Sequence, residues 1–447
     1  MSVFLTFVGL GANLFADNEK KISKLAEFPD WSQLEAYQET ISREDFEREL
    51  LTNYCENEKS AGNFIEILED HARIVKDFKR PDDVFELRFA GESKEVIPKY
   101  WRSAAELPPI RDPEKPLEGM RIAIDPGHIG GLWAQMEERW FKIAPKIEEV
   151  SEAETESEPA EAAPETSPEN LEEVADDSTF PVKEGEIVMR VGELLEENLT
   201  RMGARVALVR RENRPVNAKR PEDYVDLARE WGNYPPDADP ATNKSLRKYS
   251  EILFYRTDEI RYRAERINHQ FKPDLTLCLH VNAEGWGDPS DPDFVDKNHL
   301  HILINGCYSA GEIAYDDQRF ELLRRLLQRT HPEELAVSQT VANVMANTTE
   351  LPPYVYLRNN AKRVSPNPFV WSRNLLATRV YESPIVFFEP HVMNHKLTYD
   401  RVQAGEYAGT RWIHGKERIN IYQEYADAAS EGVAAYYRQH RKRIPNG

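Results

Sequence analysis

The chain predicts an α/β fold, a mixed central sheet flanked by helices on both faces, preceded by a small, mainly helical N-terminal domain. Three observations carry this. The short apolar runs MRIAID (120–125), DLTLCLH (274–280), HLHILI (299–304) and PIVFF (384–388) have the length and β-branched content of buried strands. Stretches of helical period separate them, so the sheet is covered on both sides. A proline-rich passage, 107–117, divides this alternating part from what precedes it.

Taken in order, residues 1–16 (MSVFLTFVGLGANLFA) are apolar and uncharged, like the core of an export signal, and too short to span a bilayer. No other stretch is apolar enough for a membrane span. Residues 17–106 read as an accessory domain. Leu, Trp, Tyr and Phe recur at helical spacing from Leu25 to Asn53, Ser42 is placed to cap a helix, and a second helix is expected over 61–75. DDVFELRF (82–89) alternates like a half-buried strand.

The second domain, 118–440, opens with the strand 120–125. Ile187, Val188, Val191, Leu194, Leu195 and Leu199 give an amphipathic helix over 184–202, which Gly203 closes before a strand at 204–209. Residues 212–250 form a polar, proline-punctuated insertion. A helix over 256–271 follows, then the strands at 274–280 and 299–304, helices at 317–329 and 333–347, the strand 384–388, and a last helix over 421–440.

Between Ile147 and Phe180 lie thirteen acidic residues and no Lys or Arg. The segment 146–179 is rich in Glu, Ala, Pro and Ser and predicts disorder. Its residues 147–179 carry thirteen of the net −21, leaving about −8 elsewhere, an ordinary surface charge. With no basic stripe, nucleic acid is not an expected partner. Cys55, Cys278 and Cys307 are too few for a disulfide framework, and Cys278 sits inside a strand pattern as a buried thiol.

Four chemistry-bearing side chains stand at strand ends or a helix start. His128 follows the first strand in Asp125-Pro126-Gly127-His128, and His280 ends another in Leu279-His280-Val281-Asn282. Glu184 opens the intervening helix, and Glu389 ends the last strand. In α/β sheets the carboxyl edge of the strands is where sites assemble. Two imidazoles and a carboxylate suit Zn²⁺ with a position left for water, and a free carboxylate suits the general base. His128, Glu184 and His280 fit the ligand roles and Glu389 the base. Glu138, nearer His128 in sequence, and Glu186 are alternatives for the carboxylate ligand. Asn282, Arg373 and His391 are candidates for contact with substrate or for support behind the ligands, Arg373 through a bidentate guanidinium. His299 and His301 read as edge-strand or surface polar positions. Trp133, Trp140 and Trp371 are aromatic candidates for sugar stacking, with core packing the default.

These motifs, in this chain order, resemble those of the zinc-dependent N-acetylmuramoyl-L-alanine amidases. The strand-DPGH motif, the passage Gly203–Arg210, the Cys278–Ala283 strand end and the Pro384–Glu389 strand carry the likeness. It spans roughly 118–440 once the two insertions are allowed. The resemblance implies Zn²⁺ as cofactor, peptidoglycan as substrate, cleavage between N-acetylmuramic acid and L-alanine, and export to the periplasm or cell wall. Three features depart from the family: Ile129 in place of a glycine, a glycine-rich stretch replaced by 132–141 and the acidic run, and the long segment from Arg210 to Leu253. The acidic insertion joins the His128 loop to the Glu184 helix; it reads either as a solvated spacer or as a regulatory element that gates substrate access or binds a regulatory protein, a basic activator. Another zinc amidohydrolase or peptidase, or a non-catalytic wall-binding protein, are the rival readings.

Overall fold

The computed structural model describes residues 21–143, 179–285, 287–288 and 291–443. The expected signal segment 1–16 lies outside the described residues, as does all of the acidic insertion but Thr179.

The N-terminal part begins with a 3-10 turn, Trp31–Tyr37, and the short helix α1 (Arg43–Arg48). Ser42 caps α1 as expected, its hydroxyl accepting the Asp45 N–H at 3.2 Å. The helix expected over 61–75 is instead part of an antiparallel meander, β1 (Ile65–Ile67), β2 (His71–Asp77) and β3 (Arg80–Arg88). Ile65, Ala72, Ile74, Phe85 and Leu87 alternate inward, and local helical spacing yields to cross-strand burial. This part therefore carries as much strand as helix. Its core is not its own: Leu34, Phe46, Leu50, Ile74 and Phe85 pack with Tyr308, Phe320, Leu323 and Leu326 from the later chain.

Beyond the proline-rich stretch come β4 (Arg121–Pro126), the two-residue strands β5 (Trp140–Phe141) and β6 (Val182–Lys183), and helix α2 (Glu184–Arg201). Strands β5 and β6 pair antiparallel at the base of the acidic insertion. After β7 (Arg205–Leu208), the segment expected as a polar loop folds into α3 (Val225–Trp231) and α4 (Lys244–Ile252). Tyr224, Ala228, Leu246 and Phe254 give it an apolar cluster that closes over Ile129 and Trp133. Helical turns continue from α4 through α5 (Glu259–Arg266) to Phe271, where left-handed Lys272 stops them (φ 54°).

Strand β8 (Leu275–Leu279) follows, then a small ribbon, β9 (Gly287–Asp288) and β10 (Asp291–Pro292), and β11 (Leu300–Ile304). Helices α6 (Ala310–Ile313), α7 (Asp316–Leu327) and α8 (Thr330–Thr349) precede β12 (Lys362–Arg363), β13 (Val370–Ser372), α9 (Leu376–Val380) and β14 (Ile385–Pro390). The chain ends with α10 (Lys396–Gln403) and α11 (Ile421–His440).

Seven strands form the mixed sheet, in the order β12-β13-β11-β14-β8-β4-β7. Strands β7, β4, β8 and β14 run parallel, while β11 runs antiparallel to β14. One face presents Ile122, Ile124, Leu275, Leu277, Val386 and Phe388 to α2, α8 and α11. Each such side chain contributes about 1.5–3 kcal/mol on burial. The other face presents Ala123, Cys278, Leu303, Trp371 and Phe387 to α5 and α9. Among the described residues no helix is long and apolar enough to cross a membrane.

Candidate active site

Strands β4, β8 and β14 are parallel neighbours, so their carboxyl ends share one edge of the sheet. There the chain leaves β4 into His128 and β8 into His280. The His280 N–H donates to the Phe388 carbonyl at 3.1 Å, which sets His280 beside Glu389. Glu184, the first residue of α2, comes in from the adjacent helix, whose N-terminus favours a carboxylate.

Two glycines permit this approach. A Cβ on Gly127 would stand 2.4 Å from the His280 ring. One on Gly185 would stand 2.3 Å from the Gly130 nitrogen and 2.6 Å from the His128 carbonyl. The His128 loop thus lies directly on the first turn of α2. Two buried arginines hold the loop's carbonyls. Arg210 donates to the Pro126, His128 and Gly185 carbonyls, and Arg263 to the Gly127 carbonyl at 2.8 Å and to Asp125 Oδ1 at 3.1 Å. The Tyr381 hydroxyl takes the other Asp125 oxygen at 2.7 Å.

The result is a compact donor set. One ligand atom each of His128, Glu184 and His280 lies within 4.8 Å of the others. His280 Nδ1 is 3.0 Å from Glu184 Oε1, and His128 Nε2 is 3.5 Å from Glu184 Oε2. Two imidazoles and one carboxylate, buried or half-buried, are a donor set that fits Zn²⁺. Behind His128, Glu137 supplies what a ligand imidazole needs on its far side. Its carboxylate lies 3.3 Å from His128 Nδ1 and accepts the Ile129 and Gly130 N–H groups at 2.8 and 3.0 Å. Such a partner fixes the ring's tautomer and orientation.

The two central carboxyls are driven in opposite directions. Burial works to raise the Glu184 pKa, but the positive charges of His128, His280 and Arg139 outweigh it and hold the group at about 2. Burial pushes Glu389 up to about 7, with Glu184 adding repulsion and His280 only partly offsetting it. The Glu184 bond raises His280 against the opposing effect of burial. One carboxyl is thus kept ionised and the other is poised to exchange a proton near neutrality, the division of labour expected of a ligand and an acid/base.

Of the sequence candidates, His128, Glu184, His280 and Glu389 come together. Glu138 does not: it takes a left-handed turn (φ 56°) and pairs with Lys248 at 2.9 Å, out of reach of the histidines. Glu186 pairs with Lys183 at 2.8 Å. Asn282 joins the ends of β8 and β14 through its backbone, which bonds to the His391 carbonyl and the Met393 N–H. His391 turns away from the site, buried 3.9 Å from Glu424. Arg373 lies across the sheet, its guanidinium over the Tyr356 ring. His299 and His301 are both buried, contrary to the surface reading; segment 352–356 covers them with Tyr354. Trp133 packs on Phe254, and Trp371 is buried against Tyr356. Sequence reasoning missed Glu137 and Arg139, whose Nε lies 3.1 Å from Glu184 Oε2. Neither carries a motif, and Glu137 stands one residue before the candidate Glu138.

No family model matches the chain, and no curated protein matches it. Solved structures do align. The N-acetylmuramyl-L-alanine amidase Ami1 from Mycobacterium smegmatis is 14% identical, with 72% of this chain and 98% of that chain covered and a TM-score of 0.36. The amidase AmiC2 of Nostoc punctiforme is 12% identical, over 71% and 98% of the two chains, with a TM-score of 0.35. The CwlD amidase from Clostridioides difficile, solved in complex with the GerS lipoprotein, is 13% identical over 71% and 98%, with a TM-score of 0.35. At these identities and TM-scores the likeness carries no weight for substrate or activity. Those rest on the side chains themselves.

Proposed function

We propose that this chain is a zinc-dependent amidase that hydrolyses the bond between N-acetylmuramic acid and L-alanine in peptidoglycan, acting after export to the periplasm or cell wall. The observation that supports it most is the convergence of His128, Glu184 and His280 beside a separate, buried Glu389 at the carboxyl edge of the sheet. The order of the DPGH, helix-start glutamate, strand-end histidine and strand-end glutamate motifs along the chain supports the choice of substrate.

In this reading His128, Glu184 and His280 hold Zn²⁺, with Glu137 orienting the His128 ring. When bound, the metal supplies Lewis acidity towards the amide carbonyl and lowers the pKa of water at the site. Glu389 accepts the proton of the attacking water and returns it to the leaving amine of L-alanine. A carboxyl pushed up to about 7 is suited to both halves of that task. Arg210 and Arg263 keep the His128 loop in place without entering the chemistry.

Digestion of purified sacculi tests this reading. The expected products are lactyl-muramic ends and new amino-terminal L-alanine, with the stem peptides intact. New termini inside the stem would instead mark a peptidase on the same scaffold.

A further inference from the structure

Beside the donor set stands one positive group that the ligand roles leave unused. Arg139 immediately precedes β5, and its Nε lies 3.1 Å from Glu184 Oε2. Its backbone is fixed on both sides: the Arg139 N–H donates to the Ala134 carbonyl at 2.9 Å, and its carbonyl accepts the Glu184 N–H at 3.3 Å. Left-handed Glu138 (φ 56°) turns the chain into this position. The stretch 132–141 that supplies Arg139 stands where the amidases this chain resembles carry glycines, so the contact belongs to this sequence.

Glu184 has little need of an arginine to hold it. Its Oε1 lies 3.0 Å from His280 Nδ1 and accepts the Val281 N–H at 3.1 Å, and His128 Nε2 stands 3.5 Å from Oε2. A guanidinium kept only as a counter-ion commonly grips its carboxylate with two parallel donors. Arg139 meets Glu184 through Nε and turns Nη1 to the Glu138 carbonyl at 3.0 Å; among the described residues Nη2 has no acceptor. The side chain is 30% exposed where Glu184 is buried, so a molecule arriving at the site can reach it. Beyond burial and the histidines, its charge is felt by both Glu184 and Glu389. Arg210 and Arg263, by contrast, are buried and committed to the carbonyls of the His128 loop.

We propose that Arg139 is a catalytic electrophile that donates through Nη2 to the oxygen of the scissile carbonyl. This rests on the amidase reading. A carbonyl attacked between the ligand set and Glu389 lies within the field of the guanidinium. As water adds to the carbonyl carbon, the C=O π pair passes to oxygen and Glu389 takes the water proton. A fixed cation stabilises the resulting oxyanion more than the ground-state carbonyl, so the contact lowers the barrier without tightening substrate binding. When the C–N bond breaks, the pair returns to re-form the carbonyl and Glu389 gives the proton to the departing amine. Arg139 keeps its charge and its protons throughout.

The test uses the full-length, zinc-loaded protein and its Arg139→Gln, Arg139→Lys and Arg139→Ala variants on a muropeptide. Loss of one oxyanion donor lowers kcat by about 10²- to 10³-fold. Arg139→Gln is expected to lose that much in kcat with KM nearly unchanged, and Arg139→Lys to keep part of the rate. Added guanidinium is expected to raise turnover by Arg139→Ala and not by the wild type. Zinc affinity in a chelator competition is expected to match the wild type in all three. A Gln variant with the wild-type kcat, whatever its KM, would overturn the proposal. So would a loss of rate that follows from lost zinc, which would make Arg139 a positioning residue for Glu184. If the wild type cleaves no muropeptide, the amidase reading fails, and calorimetric binding of inorganic phosphate, a tetrahedral oxyanion, decides the role of Arg139. Binding about tenfold weaker in Arg139→Gln, the least a charge-assisted bond is worth, supports the contact. Equal or absent binding rejects it.

Discussion

Under α2, α8 and α11 the central sheet presents a largely hydrocarbon face, Ile122, Ile124, Leu277, Val386 and Phe388 among others. Under α5 and α9 the same strands present Ala123, Cys278 and Phe387 and also Asp125, bonded to Arg263 and Tyr381, with His301 and Glu389 further out. The alternation of each strand sends its residues to both faces, so one sheet serves two purposes. The first face stabilises through burial. The second keeps charged groups dehydrated yet paired, except where the site needs an unpaired one. Changes on the first face should therefore unfold the protein without altering the chemistry, and changes at the edge of the second should do the reverse.

The largest expected effect tests the second half of that contrast. Glu389→Gln should lower turnover on muropeptides by about 10²- to 10⁴-fold, the range for a lost general acid/base. Its melting temperature should not fall, because a buried carboxyl driven up to about 7 is replaced by a neutral isostere. A melting temperature lowered by many degrees would place Glu389 among the structural groups. On the hydrocarbon face, Leu277→Ala should cost about 2–5 kcal/mol in denaturant unfolding. Its zinc content should stay that of the wild type. Loss of metal in the folded variant would break the separation of the faces.

A smaller effect is expected behind the ligands. Glu137→Gln keeps the shape of the group but weakens its hold on His128 Nδ1, and should reduce zinc affinity by about 10- to 100-fold in a chelator competition. Unchanged affinity would make Glu137 only a clamp for the Ile129 and Gly130 N–H groups.

The smallest effect concerns pH and lies away from the site. Burial, with Arg325 nearby, lowers His331 to about 4, and burial with Arg401 lowers His391 to about 3. Both folded values lie below the ordinary histidine range near 6.5. As pH falls below that range the unfolded chain takes up protons that the folded chain refuses, so stability declines with acid. The loss flattens only below the folded values. Each histidine contributes a slope of up to about 1.4 kcal/mol per pH unit. His331→Gln should reduce the slope between pH 6 and pH 4.5 by up to about 1.4 kcal/mol per pH unit, measured by urea unfolding. A slope that the substitution leaves unchanged would contradict that assignment.

Much of this architecture could be read from the chain because its strands are short, apolar and bounded. The runs ending at His128, His280 and Glu389 are buried from both faces, and such strands announce themselves by composition. The helix from Glu184 was equally plain, its apolar stripe facing β4 and α11. Where the reading failed, long-range contacts overrode local pattern. Ile65 and Ala72, seven residues apart, have helix-compatible spacing, but Ala72 and Ile74 alternate as a strand does and bury with Phe85 and the later helix α7. The 212–250 segment looked polar because its apolar residues, Tyr224, Ala228 and Leu246 among them, are scattered in sequence and cluster only once the chain folds back on itself and over Ile129 and Trp133. His299 and His301 looked exposed because the tyrosines that cover them come from 352–356, fifty residues on. Glu137 was invisible for a related reason: it meets the His128 ring and the Ile129 and Gly130 N–H groups from a stretch that no motif records.

The choice of metal ligands is the claim on which the rest depends, and zinc content on the purified Glu184→Ala and Glu138→Ala variants tests it most directly. Glu184 lies against both histidines and Glu138 against Lys248. The expected result is loss of zinc and of muropeptide hydrolysis in Glu184→Ala, with both retained in Glu138→Ala. Zinc retained by the Glu184 variant and lost from the Glu138 variant would contradict the site described here.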